Sequence, residues 1–288
     1  MAVKFFGQFL IGQGIVTGEA LLNAINLQDK NNLKLGDMAV AMGLIIPADI
    51  QRAHNAQMSK DMKLGDLLVE MGFLTLLQLN DVIARQKSTH LYIGEALVQV
   101  GALTSDELRK HLDDFKADQA QYVSNGIELP ITSANNPIWE MTADLTYKMI
   151  TRVLDLQFRP GKCTLATVIP PNFMLAAMDL SGDVEARYLI SVSEGLQKSI
   201  ARAILSETSV DDEPEEVLED TVMEFVNVVC GNVAAKASQM GVIIEINPPV
   251  TLHPPANGLP IPDGHTALSF PIHIMDGDTM ELILLIRN

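Results

Sequence analysis

The chain has 288 residues, 48% of them hydrophobic, which is long enough for two domains that each bury a core and too apolar for a disordered polypeptide. No run approaches the ~20 uninterrupted apolar residues of a membrane span, and Met1 to Gly14 carries no cleavage-site pattern, so the expected protein is cytoplasmic, unprocessed and not membrane-bound. The formal charge of −16 is uneven: residues 1–118 hold 11 Lys and Arg against 14 Asp and Glu, residues 119–288 hold 9 against 22, and so acidic a second half excludes a nucleic-acid backbone as its partner.

Residues 5–115 contain one unit written four times. Gly7, Gly36, Gly65 and Gly94 recur every 29 residues, and Gly14, Gly43, Gly72 and Gly101 follow seven places later in each unit. The second and third copies read Lys34-Leu35-Gly36-Asp37 and Lys63-Leu64-Gly65-Asp66 at their starts, and close on Gln57 and Gln86. Apolar residues at helical spacing precede each second glycine, which stands where a helix would stop in a left-handed cap. A second helix follows, its start marked by Thr75 with Gln78, by Thr104 with Glu107 and by Pro47 in a first turn. The spacing predicts about eight short helices in helix–turn–helix pairs, each too small to bury its apolar face alone.

This unit resembles the amino-terminal domain of type II secretion ATPases and the related MshEN domain. Some members of that family bind cyclic di-GMP through two such motifs. Carried over by position, the resemblance implies Lys34, Leu35, Gly36, Gly43 and Gln57, with Lys63, Leu64, Gly65, Gly72 and Gln86, as nucleotide-binding candidates. The family's leading Arg is Lys in these two units and aromatic in the others (Phe5, Tyr92), and Lys lacks the flat bidentate fork that Arg offers a phosphate. The alternative is an array whose glycines and leucines only build helices and present them to another protein. No GxxxxGK[ST] phosphate loop is present, so the chain is not the ATPase itself.

From Asp118 to Asn136 helical periodicity gives way to turn chemistry around Gly126 and Pro130, placing a linker at 119–135 between a repeat domain at 1–118 and a second domain at 136–288. The second domain opens with an amphipathic helix over 137–155. Strands are expected at 163–169, 173–180 and 184–192, with Ser181-Gly182-Asp183 as a hairpin turn, followed by a helix at 194–205. The acidic run from Asp211 to Asp220 reads as a solvated loop leading into a long helix over 215–240, and four strands follow near 242–246, 250–253, 266–274 and 280–286. This order predicts an α/β layer, of the α+β kind, with a mostly antiparallel sheet. Cys163 and Cys230 stand 67 positions apart and the six histidines are scattered, so no metal site is expected and both thiols read as buried and reduced.

On the long helix, Val222, Phe225, Val226, Val229, Val233 and Ala237 form a buried stripe, while Asp220, Glu224, Asn227 and Gly231 line a different face at offsets of four, three and four. Asp220-Thr-Val-Met-Glu224-Phe-Val-Asn227, the downstream Gly231-Asn232, and Pro249 after 21 intervening residues resemble the signature of the CheC/CheX/FliY phosphatases. A single copy of the signature is similar to the CheX branch. The resemblance covers residues 136–288 and implies dephosphorylation of an aspartyl-phosphate on a response-regulator receiver. It gives Asn227 the role of orienting the attacking water and Glu224 that of pairing with the receiver's lysine. It implies Mg²⁺ supplied by the receiver and no cofactor of this chain's own. A homodimer is also implied, since relatives pair through their sheets. The other reading is a non-catalytic cyclic di-GMP sensor or scaffold.

Overall fold

The structure is a computed structural model that describes residues 4–120, 126–275 and 277–288; part of the expected linker, 121–125, lies outside the described residues. The chain divides into two compact units, residues 1–57 with 62–123, and residues 58–61 with 124–288.

The first unit is helical. Short and long helices alternate: α1 (Phe6–Gly12), α2 (Gly18–Asn31), α3 (Leu35–Ala41), α4 (Pro47–Gln57), α5 (Leu64–Glu70), α6 (Leu76–Thr89), α7 (Ile93–Gln99) and α8 (Ser105–Gln119). Both kinds of glycine have a physical cause. Gly14, Gly43, Gly72 and Gly101 follow the short helices at φ between +68° and +77°, a left-handed turn that a residue with a Cβ enters at a penalty. Gly7, Gly36, Gly65 and Gly94 lie where the short helix presses on the long one, and a Cβ there would come within 3 Å of Leu21, Ile50, Leu79 or Leu108. Thr75 and Thr104 cap α6 and α8, each accepting from the backbone NH three residues on while Gln78 or Glu107 reaches back.

Two separate apolar clusters organise these helices. One joins Phe6, Phe9 and Leu10 of α1 and Ala24 of α2 to Ala96 and Leu97 of α7 and Phe115 of α8. The other joins Met38 and Ala39 of α3 and Ala53 of α4 to Leu67 and Leu68 of α5 and Val82 of α6. Glutamines at the ends of long helices tie the same partners together. Gln28 donates to the Leu91 carbonyl at 3.0 Å, Gln57 to that of Met62 at 3.0 Å and Gln86 to that of Leu33 at 2.9 Å. These carbonyls precede α7, α5 and α3.

The second unit holds α9 (Asn136–Arg152), β1 (Phe158–Pro160), β2 (Thr164–Ala166), β3 (Val168–Ile169), β4 (Met174–Gly182) and β5 (Ala186–Val192). It continues with α10 (Glu194–Leu205), α11 (Glu215–Gln239), β6 (Ile244–Ile246), β7 (Val250–Leu252), β8 (Leu259–Pro260), β9 (His265–Ile274) and β10 (Thr279–Arg287). The main sheet runs β1-β9-β10-β5-β4-β6, with β2 also beside β9 and β7 also beside β4. Among the described residues every pairing is antiparallel. The stretch expected as one strand at 163–169 is two, since β2 pairs with β9 and β3 with β8.

Alternation across the pleat sends Met174, Ala176 and Met178 of β4 and Tyr188, Ile190 and Val192 of β5 into a large core with α9, α10 and α11. Leu175, Ala177 and Leu189 turn to the opposite face, where Ile169, Ala267 and Ile283 complete a second apolar layer. The central strands are therefore buried on both sides, which explains their near-continuous hydrophobic sequence.

Candidate functional site

The site is built on α11, a helix of 25 residues with Glu215 and Glu216 in its first turn and Lys236 in its last, each charge matched to the end of the helix dipole it occupies. Val222, Phe225, Val226, Val229, Val233 and Ala237 are fully buried against the sheet and neighbouring helices, which fixes the rotation of the helix about its axis. Its start is tied to α10 by the Gln197 amide, which donates to Glu215 at 2.8 Å. Its outer side is tied to the residue following β7, because His253 Nε2 lies 3.3 Å from a Glu219 carboxylate oxygen.

That rotation leaves Asp220, Glu224 and Asn227 exposed. Asn227 Nδ2 lies 3.4 Å from Glu224 Oε2, a long hydrogen bond that places carboxamide and carboxylate side by side and is weak enough to exchange for better partners. The pair stands on an open ridge. The cleft of about 520 Å³ elsewhere in this unit is lined from α9, the 126–128 segment, residues 160–163 and Phe270, and no α11 side chain contributes to it. An open ridge suits a macromolecular surface better than a small ligand, which needs concave enclosure.

The supporting residues fall in different places. Gly231 continues the ridge one turn beyond Asn227, and a Cβ added there meets nothing within 4 Å. Asn232 is buried and its amide donates both to the Val228 carbonyl at 2.8 Å and to the Met58 carbonyl at 2.9 Å, so it is engaged inside this unit and not on the ridge. Pro249 is half-buried in the turn between β6 and β7, both of which adjoin α11. Of the six motif residues, the structure brings Asp220, Glu224, Asn227 and Gly231 onto one face and places Asn232 and Pro249 away from it.

The nucleotide-binding candidates are arranged otherwise. Lys34 and Lys63 are exposed at the starts of α3 and α5, Gly36 and Gly65 are buried under the next helix, and Leu35 and Leu64 pack into the α3–α6 cluster. Gly43 and Gly72 are exposed in turns, and the amides of Gln57 and Gln86 are engaged by backbone carbonyls. Among the described residues no group of three or more His, Cys, Asp or Glu side chains is placed to hold a metal ion. Both cysteines are buried and unpaired, and burial pushes the Cys163 thiol up to about 12 and that of Cys230 upward as well, so neither offers a ready thiolate. No described helix is long and apolar enough to cross a membrane.

Residues 174–273 match the protein family described as chemotaxis phosphatase CheX. The span runs from the first residue of β4 to within one residue of the end of β9 and includes the whole of α11. Among solved structures, the chain is similar to the chemotaxis protein CheX from Desulfovibrio desulfuricans, at 16% identity and a TM-score of 0.44 over 52% of this chain and 99% of that one. It is likewise similar to the CheX–CheY–BeF3–Mg²⁺ complex from Borrelia burgdorferi, at 22% identity and a TM-score of 0.44 over 52% of this chain and 98% of that one. Thermotoga maritima FliY gives 12% identity and a TM-score of 0.39 over 55% of this chain and 92% of that one. No curated protein matches the chain.

Proposed function

We propose that this chain removes phosphate from the aspartyl-phosphate of a response-regulator receiver, with Asn227 orienting the attacking water and Glu224 fixing the register of the two proteins. The observation that carries this reading is the adjacent, exposed Glu224–Asn227 pair on the outer ridge of α11, inside the span that matches the chemotaxis phosphatase family.

The chemistry asks little of the phosphatase beyond placement. Phosphoryl transfer to water needs the oxygen in line with phosphorus, and the magnesium ion and lysine that offset the phosphoryl charge belong to the receiver. Asn227 is suited to the water because a carboxamide both donates and accepts, whereas an aspartate there would repel the phosphoryl oxygens. Glu224 supplies the charge that a receiver lysine requires, and its present neighbour at 3.4 Å is easily given up. A site that contributes one amide and one carboxylate needs no cavity of its own.

The experiment is a comparison of binding and turnover. Asn227→Ala is expected to bind a receiver loaded with beryllium trifluoride and magnesium nearly as well as the unaltered chain, while stimulated phosphate release falls by about 10²-fold or more. Unchanged release would remove Asn227 from the reaction. Glu224→Lys is expected to weaken the complex by at least about tenfold, because it sets like charges against each other.

For residues 5–115 we infer a helical platform for another protein. The support is that Gln57 and Gln86 spend their amides on the carbonyls of Met62 and Leu33. Calorimetry with cyclic di-GMP should give no binding heat, and saturable heat lost in Lys34→Ala or Lys63→Ala would replace this reading with a sensor.

A further inference from the structure

Glycine in the interior of a helix is disfavoured relative to alanine, since it loses more backbone freedom on folding and contributes no side chain to packing. Such a glycine calls for a reason. Gly7, Gly36, Gly65 and Gly94, in the interiors of α1, α3, α5 and α7, have one: an added Cβ would come within 3 Å of a leucine or isoleucine on the following helix. Gly195 near the start of α10 has one too, because a Cβ there would lie 2.7 Å from a carboxylate oxygen of Asp278. Gly231 lies deep inside α11, and a Cβ on it would meet nothing within 4 Å. Its backbone is helical, so no left-handed conformation requires it either. Among glycines in the interiors of described helices, Gly231 alone leaves open space where a Cβ would stand.

Its place on the helix supplies a use outside the chain. Four residues beyond Asn227 and seven beyond Glu224, Gly231 lies on the same face, one turn closer to the carboxy-terminal end of α11. Any side chain at 231 would rise beside the carboxamide and hold an approaching surface away from it. We propose that Gly231 is a positioning residue for the reaction above: by presenting bare backbone, it lets the receiver settle close enough for Asn227 to reach the phosphoryl group. This rests on the phosphatase reading and adds to it a steric limit on how the partner docks.

The test pairs stability with turnover in Gly231→Ala and Gly231→Leu of the full chain, using a phosphorylated receiver that the unaltered chain dephosphorylates. Alanine removes the helix penalty, so the melting temperature of Gly231→Ala should rise by about 2–4 °C. Over the same two variants kcat/KM should fall stepwise, by several-fold for alanine and by about 10²-fold for leucine, with affinity for the beryllium trifluoride-loaded receiver falling in parallel. A residue needed only for the fold would give the opposite pattern, lower melting temperature with activity per folded molecule unchanged, and that result overturns the proposal. So does a leucine variant as active as the unaltered chain. If the unaltered chain accelerates phosphate loss from no receiver, the phosphatase reading itself falls and takes this inference with it.

Discussion

Glu281 shows how much a single side chain can hide. It sits in β10, its Cα opposite Ser191 of β5 on one side and Pro271 of β9 on the other, and it accepts a hydrogen bond from the Ser269 hydroxyl. Burial in this sheet holds its carboxyl above the ordinary glutamate range, with the serine hydrogen bond opposing the rise. A carboxyl raised in the folded state binds protons more tightly there than in the unfolded chain. Stability from this group is thus present below the ordinary glutamate pKa and lost as pH rises through the folded value. Glu281→Gln keeps an acceptor for Ser269 and removes the charge, so its melting temperature should exceed that of the unaltered chain at pH 8, with the gap closing toward pH 4. An equal gap at both pH values would show that the Glu281 charge is not what burial opposes. Nothing in the strand expected at 280–286 marks this glutamate, because a lone acidic residue in an apolar run reads as the solvent-facing member of an alternating strand. The shared exposed face of Glu224 and Asn227 was legible for the opposite reason: helical spacing determines that residues three apart share a face, and the buried stripe determines which face is exposed.

At the scale of elements, local chemistry spoke clearly and long-range pairing did not. The start of α10 follows from the Ser193 cap, and that of α11 from Pro214 and the acidic first turn of Glu215 and Glu216. By contrast β1 and β8 are three and two residues long and each contains a proline, which counts against a strand when only the sequence is read. The hydrogen bond from Gln28 to Leu91 spans 63 positions and could not be inferred from either residue. The glycines under the helix crossings were visible as a period, but their cause needed coordinates. Gly65→Val should destabilise the first unit by about 1–3 kcal/mol, because the branched side chain displaces Leu79 from a packed site. Chemical denaturation measures this, and an unchanged midpoint would show that the crossing has slack. In α11, Phe225→Ala should cost more, about 3–5 kcal/mol, since it empties a fully buried position on the helix that carries Glu224 and Asn227.

For the whole molecule, the order of elements made a helical first part and a mostly antiparallel second part readable, whereas the strand order β1-β9-β10-β5-β4-β6 joins segments far apart in sequence and was not. The acidic excess of residues 119–288 favours a partner with a basic face. Association with a receiver should slow as salt is raised, and an association rate indifferent to salt would deny charge a part in the encounter. Turnover decides whether the chain is a phosphatase, and it is measured by adding the full chain in large molar deficit to a phosphorylated receiver in magnesium buffer and following free phosphate. Each chain is expected to release many phosphates, and Asn227→Ala none above the receiver's own decay. Phosphate loss that is accelerated for no receiver, or that Asn227→Ala accelerates equally well, would show that this pair does no catalysis.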